Sequence, residues 1–517
     1  MIQQIKNILS NKIIKSSFGI LLITLLVKVL GYTEKLILAN YFGTSYHVDV
    51  YIVVLTIVLS LFFLFREIVE PGYLNVFLNC RSNGQESESW RIFNKVFRLI
   101  LLVTVVLSAI ALAVPQWVSS MFAPGFEGEK LLLTNTLIRI AIPAGIFLAL
   151  STLTSITLNG LKIFVLPASG EIAFKGGVIL FMILFYKEYG IIGAAVGIFI
   201  GSIGRLSVHL IKLHKKISVK KVSIESKYKK RILQLTWPLL LGVSFSQISG
   251  LVDNIFASYL QEGAIAALNY AKKVVELPVV LFPYVISIVI FPYFTQLAIE
   301  QQQDKLKRLL TGSLKWILIA FIPISVFFII YSYPIIEIIF QRGAFNANST
   351  KLTAMPFMIY SIGLVFFAIE TILVVFYYSS ADTKTPVFLG MGCVIINIIL
   401  TWILIRFIGY LGIALAFVIQ KSLKNIVLIY LLKHKIEILS RKLWKVLIKI
   451  SLSVFIFTII VLSSRFLLKE FSNDNMLIKM GLLAIVFTMS GVIYFIILHF
   501  FNVLNVLRIG SSINYDA

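Results

Sequence analysis

Charged residues are scarce in this chain of 517 residues, and acidic ones are the scarcest. Asp, Glu, Lys and Arg together make up 14% of it, whereas soluble domains carry about 25%. Apolar side chains account for 59% of the sequence, and the mean hydropathy is +0.95. Apolar runs of about 20 residues, long enough to cross a bilayer core, recur from end to end. The composition excludes a soluble protein and predicts an all-α protein that crosses the membrane many times.

Cysteine and histidine are also rare, which excludes several kinds of active site. Cys80 and Cys393 show no pairing pattern, so we predict neither a disulfide nor a metal site. The five histidines are scattered, with no H-E-x-x-H motif, and no G-x-x-x-x-G-K-[ST] phosphate loop occurs. We therefore expect a transporter without a cofactor rather than an enzyme.

Much of the formal net charge of +24 comes from loops on one side of the membrane, and the predicted outer loop with Arg465 and Lys469 is a mild exception. The connections at 81–98, 212–231 and 431–445 are rich in Lys and Arg, whereas those on the other side are short and poor in both. Basic loops remain in the cytoplasm, which places both termini there. Anionic membrane lipid, rather than nucleic acid, is the expected partner of these loops.

Polar breaks divide the chain into about fourteen transmembrane spans. The predicted spans lie near 17–42, 47–79, 94–120, 133–159, 164–186, 189–213, 233–260, 264–297, 312–340, 351–379, 385–407, 410–433, 443–468 and 477–506. The N-terminal stretch has no small-x-small cleavage site and carries Lys28 in its apolar run. We interpret it as the first membrane helix rather than a removable signal peptide.

Four pairs of similar segments reveal an internal duplication. The paired positions are Phe122 with Phe340, Pro167 with Pro386, Gly193 with Gly412, and ANYF at 39–42 with ASYL at 257–260. All four offsets are 218 or 219 residues, which indicates two lobes repeated in the same orientation, a transporter architecture.

The repeat predicts four regions. Residues 1–215 form an N-terminal lobe of six helices, and 216–232 form a basic cytoplasmic linker. Residues 233–436 form a C-terminal lobe of six helices, and 437–517 carry two further helices.

Charged residues inside apolar spans are costly, so they usually face a cavity or a partner. The candidates are Lys28, Glu34, Lys35, Arg66, Glu67, Glu70, Glu171, Lys175, Asp253, Lys272, Lys273, Glu276 and Glu370. Some can be neutralising pairs that fix helix packing, such as Glu171 with Lys175 and Lys272 with Glu276, each four residues apart.

A cavity with several cations favours an anionic ligand. Arg66 offers a planar fork to phosphate oxygens, and Lys28 and Lys273 offer point charges, so a diphosphate head group would fit. Asp253, Asn397 and Thr401 are candidates for binding a coupling ion, Na⁺ or H⁺. The alternative for these three is a satisfied buried polar cluster.

Several motifs resemble the MurJ/MviN family of lipid II flippases, within the superfamily of multidrug and polysaccharide exporters. They are VLGY at 29–32, ANYFGTSYHVD at 39–49, REIVEPG at 66–72, APGF at 123–126, SQISGLVDNIFASYL at 246–260, YAKKVVELP at 270–278, FQRGAF at 340–345, YSIGL at 360–364 and SADTKTPV at 380–387. The resemblance implies fourteen helices around a central cavity. It also implies outward transport of undecaprenyl-diphosphate-linked sugar precursors by alternating access.

The resemblance also implies which residues bind substrate. Lys28, Arg66 and Lys273 stand at basic positions of the family, and Asp49 keeps the acid after the F-G loop. Lys272 and Glu34 complete the predicted substrate-binding set.

Two positions depart from the family pattern. Glu34 replaces an expected cation, and Pro71 replaces an expected acid. These changes leave a capsule or O-antigen type of lipid-linked glycan open as an alternative substrate.

We predict a monomeric flippase of the bacterial cytoplasmic membrane that carries lipid II or a similar polyprenyl-diphosphate-linked saccharide. A cation-coupled drug exporter is disfavoured by the cationic cavity. A membrane-embedded glycan polymerase would need an exterior loop with catalytic carboxylates, and the sequence has none that is long enough.

Overall fold

The computed structural model describes residues 12–218, 223–433, 441–470 and 476–503, and every long regular element in them is an α-helix. The all-α prediction is confirmed. The first half of the chain forms α1 (Lys12–Phe42), α2 (Tyr46–Ser82), α3 (Glu86–Ala113), α4 (Pro115–Phe122), α5 (Gly128–Ala141), α6 (Ala144–Gly160), α7 (Val165–Tyr189), α8 (Ile192–Leu213) and α9 (Ser226–Ser258).

The second half of the chain is also helical. It forms α10 (Ala264–Leu281), α11 (Pro283–Ile299), α12 (Gln303–Ile330), α13 (Ser332–Phe340), α14 (Ala347–Ser379), α15 (Lys384–Ile408), α16 (Leu411–Lys433), α17 (Arg441–Glu470) and α18 (Met476–Phe500).

The helices account for the predicted spans in order. Among the described residues, nine helices are long and apolar enough to cross a membrane, or ten if α5 and α6 form one bent span. Helices α5 and α6 meet at an angle of 44°, and the eighth predicted span divides into α10 and α11 before Pro283. Proline at the first position of a helix is favourable, because its missing N–H would have no partner there. Within the described residues, every predicted span coincides with one helix or with two consecutive helices, and residues 504–506 of the last span lie outside the described residues.

The chain packs as two compact units. Unit 1 contains residues 1–266 and 342–345, and unit 2 contains 267–341 and 346–517. The repeat predicts α9 in the C-terminal lobe, but this helix packs with unit 1. Packing and repeat symmetry therefore divide the chain at different points, and the lobe boundaries derived from the repeat stay a prediction.

Helices α7 and α8 of unit 1 approach each other through glycines. A Cβ atom on Gly177 would lie 2.7 Å from the Cα of Gly201, and one on Gly197 would lie 2.8 Å from the Cα of Val178. Small residues allow such close backbone contact between membrane helices, where dispersion replaces the hydrophobic effect as the driving force.

The backbone of unit 2 repeats details of unit 1. Helix α15 begins and ends 219 residues after α7 (165 to 384 and 189 to 408). Both helices end at a glycine with positive φ, 56° at Gly190 and 58° at Gly409. Lys162 and Ala381, which precede these helices, also have positive φ at the same offset. The duplication seen in the sequence therefore extends to helix ends and turn conformations.

The last two helices pack on unit 2. Phe457 of α17 and Tyr494 of α18 are buried against α12, and the Tyr494 hydroxyl donates a hydrogen bond to the Ile319 carbonyl at 3.0 Å. This bond satisfies a polar group that would otherwise be costly in an apolar core.

Candidate functional site

Glu34 lies at the centre of a buried ion cluster in unit 1. Its carboxylate is 1% exposed and accepts a hydrogen bond from Lys175 of α7. Tyr51 of α2 donates a second hydrogen bond at 3.2 Å, and the Lys35 ammonium lies 3.7 Å away. Glu34, predicted to bind substrate, thus joins α1, α2 and α7, and it holds two cations in fixed positions.

The predicted pairing of Glu171 with Lys175 is wrong. Lys175 pairs with Glu34, and Glu171 pairs with the buried guanidinium of Arg205 on α8. Residues four apart on a helix can meet, but partners on neighbouring helices are better placed here. Sequence spacing could not reveal Arg205, because it lies 34 positions from Glu171.

Lys28 and Arg66 are exposed on the surface of their helices. The Nε atom of Arg66 lies 3.6 Å from a carboxylate oxygen of Glu70, and both side chains are about half exposed. An exposed pair of this kind contributes little stability, so the Arg66 guanidinium can exchange Glu70 for another anion.

Asp49 caps the start of α10. It is buried, and its two carboxylate oxygens accept hydrogen bonds from the backbone N–H groups of Gly263 (2.7 Å) and Ala266 (2.8 Å). Such bonds satisfy the first N–H groups of a helix, which have no partner within the helix. The geometry gives Asp49 a capping role, and its predicted contact with substrate stays a prediction.

Other bonds hold the connections on the predicted outer side of unit 1. The backbone N–H of Ala344 donates to the Asn40 carbonyl at 2.8 Å, and that of Tyr46 donates to Glu262 at 2.9 Å. Gly343 has a φ of +56°, and a Cβ there would collide with Asn40. These short connections are therefore held to one another and to helix ends by a few hydrogen bonds.

Unit 2 contains a cavity of about 660 Å³ between α10, α11, α14 and α16. The Lys272 ammonium lies over the ring of Phe417 at 3.9 Å from its centre, and that of Lys421 lies at 5.5 Å. Glu370 accepts hydrogen bonds from Lys421 at 2.8 Å and from Lys424 at 2.6 Å. Of the predicted substrate residues, Lys272 lines this cavity.

Lys273 lies next to this cavity and bonds to one of its lining residues. Its ammonium donates a hydrogen bond to Glu276 at 2.7 Å. The candidates chosen from the sequence do not include Phe417, Lys421 and Lys424, which line or adjoin this cavity. The sequence does carry a signal for the two lysines, since Lys421 and Lys424 lie three residues apart and interrupt an apolar span.

The ion-site candidates are divided between the units. Asp253 is half-buried in unit 1, whereas Asn397 and Thr401 are fully buried on α15 in unit 2. Thr401 Oγ1 has no hydrogen-bond partner among the described residues. Within those residues there is also no group of three His, Cys, Asp or Glu side chains that could hold a metal.

Comparison with known proteins points to one family. The family model described as "Lipid II flippase MurJ" matches residues 38–500. A probable lipid II flippase MurJ from Buchnera aphidicola is 25% identical over 95% of this chain and 97% of its own length. One from Vibrio cholerae is 26% identical over 81% and 83%, and the lipid II flippase MurJ of Burkholderia cenocepacia is 24% identical over 78% and 81%.

Solved structures agree with this result. The structure titled "Lipid II flippase MurJ, inward closed conformation" has a TM-score of 0.76 and 25% identity, and the match covers 94% of this chain and 99% of that one. An inward-facing multidrug transporter of the MATE family has a TM-score of 0.69 at 12% identity, covering 80% and 94%. At 12% identity, the similarity to the MATE-family transporter shows a shared fold alone.

Proposed function

The chain belongs to the MurJ family of lipid II flippases, and we propose from this membership that it carries lipid II across the cytoplasmic membrane. Transport runs from the inner to the outer face by alternating access. The observation that carries this proposal is the family match over residues 38–500, which includes both halves of the repeat. It favours lipid II over a capsule or O-antigen carrier and over a drug.

The cations provide the chemistry for holding the substrate. Lys28, Arg66, Lys272 and Lys273 remain the candidate cations for the diphosphate, and the exposed Arg66 has the planar fork that matches two phosphate oxygens. Glu34 orients Lys35 and Lys175 rather than binding substrate itself, because its oxygens are already occupied.

The contacts of Asp49, Asn40 and Glu262 lie within unit 1 and hold its connections to helix ends by hydrogen bonds. Asp253 in unit 1, and Asn397 and Thr401 in unit 2, each remain candidate ligands for a coupling ion, Na⁺ or H⁺.

Location and partners follow from the same proposal. The chain is a multi-pass membrane protein, and both termini and the basic linker at 216–232 face the cytoplasm and its anionic lipids. It works as a monomer.

Genetic rescue tests the function. We expect the gene to restore growth in bacteria depleted of their own lipid II flippase, and Arg66→Ala and Lys273→Ala to reduce that rescue strongly. Arg139→Ala and Lys351→Ala remove exposed cations from the same two units and serve as controls.

The outcomes of this experiment distinguish an error in the substrate from an error in the binding residues. Failure of the wild-type gene, with the protein present in the membrane, would refute lipid II as the substrate. Full rescue by both test variants would refute the assignment of Arg66 and Lys273.

A further inference from the structure

We propose that unit 2 has a binding site for one anionic phospholipid of the bilayer, whose phosphate binds Lys315 of α12 and Lys449 of α17. The site lies on helices other than α10, α11, α14 and α16, which line the cavity of unit 2. It therefore concerns a lipid that surrounds the protein rather than the transported substrate, and it does not depend on the proposed function.

Helices α12 and α17 run side by side in the same direction. Near their predicted outer ends, the Tyr331 hydroxyl lies 3.0 Å from Ser464 Oγ. Toward their predicted cytoplasmic ends, Val446 and Ile450 of α17 are buried in the same apolar cluster as Ile319 of α12. The two helices are thus in contact over most of the membrane thickness.

Lys315 and Lys449 mark the same depth on these two helices. Residues 316–330 of α12 and 450–464 of α17 contain no charged side chain. Each of these stretches spans about 22 Å at 1.5 Å per residue, which is most of a hydrocarbon core of about 30 Å. Both lysines therefore lie at the predicted cytoplasmic boundary of the apolar core, at the level of phospholipid head groups.

Lys449 also holds the end of α18. Its ammonium donates a hydrogen bond to the carbonyl of Phe501, the residue after α18, at 2.7 Å. Cations are favourable at this end of a helix, where carbonyl groups have no partner within the helix. An ammonium has three N–H donors, so Lys449 can bind this carbonyl and an anion together.

Lys315 is half-buried on the face of α12 that packs against α17 and α18. It lies four residues before Ile319, a member of the apolar cluster, and residues four apart share a helix face. A charge in apolar surroundings is costly unless an opposite charge or a polar group meets it. This position therefore favours a bound anion.

No protein carboxylate supplies that anion in the described part of the chain. Neither Lys315 nor Lys449 forms an ion pair with a described Asp or Glu. In the sequence of α12, α17 and α18 the acidic residues are Asp304 and Glu470, each at least eleven residues from the lysine on its own helix. An external anion is thus the remaining partner for the two lysines.

The phosphate of a glycerophospholipid fits this position. Its oxygens accept charge-assisted hydrogen bonds from ammonium groups, and anionic lipids of the cytoplasmic leaflet attract lysines near the surface. Exposed apolar side chains lie beside the lysines and offer a surface for the acyl chains: Trp316 is 41% exposed, Ile448 65% and Leu452 48%. We therefore choose phosphatidylglycerol, which has one phosphate and a neutral head, as the ligand.

The bound lipid strengthens the packing of the last two helices on unit 2. Its phosphate joins Lys315 of α12 to Lys449 of α17, and Lys449 is itself bonded to the end of α18. This connection lies at the opposite end of α12 from the contact of Tyr331 with Ser464. Phosphatidylglycerol should therefore raise the midpoint of thermal unfolding.

Native mass spectrometry of the purified full-length chain tests the site. The protein is titrated in detergent with phosphatidylglycerol or phosphatidylcholine that carry the same acyl chains. We expect tighter binding of phosphatidylglycerol, because the choline ammonium of the other lipid repels the two lysines. Thermal unfolding with each lipid should show a higher midpoint for phosphatidylglycerol.

Variants identify the residues. Lys315→Gln and Lys449→Gln should each weaken binding of phosphatidylglycerol about fivefold, the usual contribution of one lysine near an anionic lipid surface. Lys315→Arg keeps the charge and should bind like the wild type. Lys305→Gln removes an exposed cation of the same helix on the same predicted side and is the matched control. Thermal unfolding without added lipid shows whether each variant is folded.

Each outcome supports or overturns the site. Equal affinity for the two lipids, or unchanged binding by both glutamine variants, overturns it. An equal loss in Lys305→Gln also overturns it, because the attraction then comes from the general surface charge. Displacement of phosphatidylglycerol by an equal concentration of lipid II would assign the lysines to the substrate instead. Selective loss in Lys315→Gln and Lys449→Gln, with no displacement by lipid II, supports the proposal.

Discussion

At the scale of single residues, the buried charges of unit 1 have a structural role. Glu34 replaces a cation expected from the family pattern, and it is surrounded by Lys35, Lys175 and Tyr51. A buried carboxylate is tolerated only when paired and hydrogen-bonded. An acid at this position, in place of a cation, therefore determines which lysines are held in the ion cluster and which can bind other anions.

The Glu34 cluster leads to a stability prediction. Glu34→Gln leaves Lys175 and Lys35 without their anion, and breaking a buried pair on one side should lower the free energy of unfolding by about 3 kcal/mol. Chemical unfolding in mixed micelles measures the change. Glu188→Gln, an exposed acid of α7, is the matched control.

The double variant Glu34→Gln/Lys175→Met sharpens the test. Removing both charges should recover part of the lost stability, because Lys175 then needs no anion, whereas Lys35 still loses the Glu34 carboxylate. A loss as large as that of Glu34→Gln alone would show that the ion pair is not the cause.

At the scale of elements, the duplicated helix pairs α7–α8 and α15–α16 are the most repetitive part of the fold. Their starts coincide at one offset (165 to 384 and 192 to 411). Each pair is joined by a turn with a glycine of positive φ, Gly190 or Gly409. Glycine adopts this conformation without the steric cost that a Cβ atom brings.

The crossing of α7 and α8 gives a prediction for neighbouring glycines. Gly177→Ala places a Cβ 2.7 Å from the Cα of Gly201, so one helix must move. We expect a loss of about 1–3 kcal/mol from overpacking. Gly176→Ala meets nothing within 4 Å and should be neutral or slightly stabilising, because Ala favours helix more than Gly.

Thermal unfolding of the two alanine variants in detergent measures the difference. Equal midpoints would mean that the α7–α8 contact relaxes without cost, contrary to the close packing described above.

At the scale of the whole molecule, charge and hydropathy determine how the chain lies in the membrane. The net charge of +24 is concentrated in loops predicted to face the cytoplasm, where basic residues are retained. This orientation is open to a direct test.

Reporter fusions provide that test. Alkaline phosphatase, which folds only outside the cytoplasm, should be inactive when fused after residue 222 and active when fused after residue 127. A β-galactosidase fusion at each position should give the opposite pattern. Active phosphatase after residue 222 would reverse the predicted topology.

Much of this architecture could be predicted from the sequence. Apolar runs specify membrane helices, because each backbone N–H and C=O must be satisfied within the helix in lipid. The 218–219 offset revealed the duplication, and the motifs identified the family. These features are local or repeated along the chain, so they can be read without knowing which helices touch.

Only the tertiary structure decided which charges meet. The Glu34 carboxylate meets Lys175 of α7 as well as Lys35 of its own helix, Asp49 caps the start of α10, and α9 packs with unit 1. Phe417 and Glu370 became parts of a cavity because α14 and α16 lie together beside α10. The physical reason is that apolar periodicity and length determine that a helix forms, whereas the partner of a buried charge depends on helix rotation and crossing.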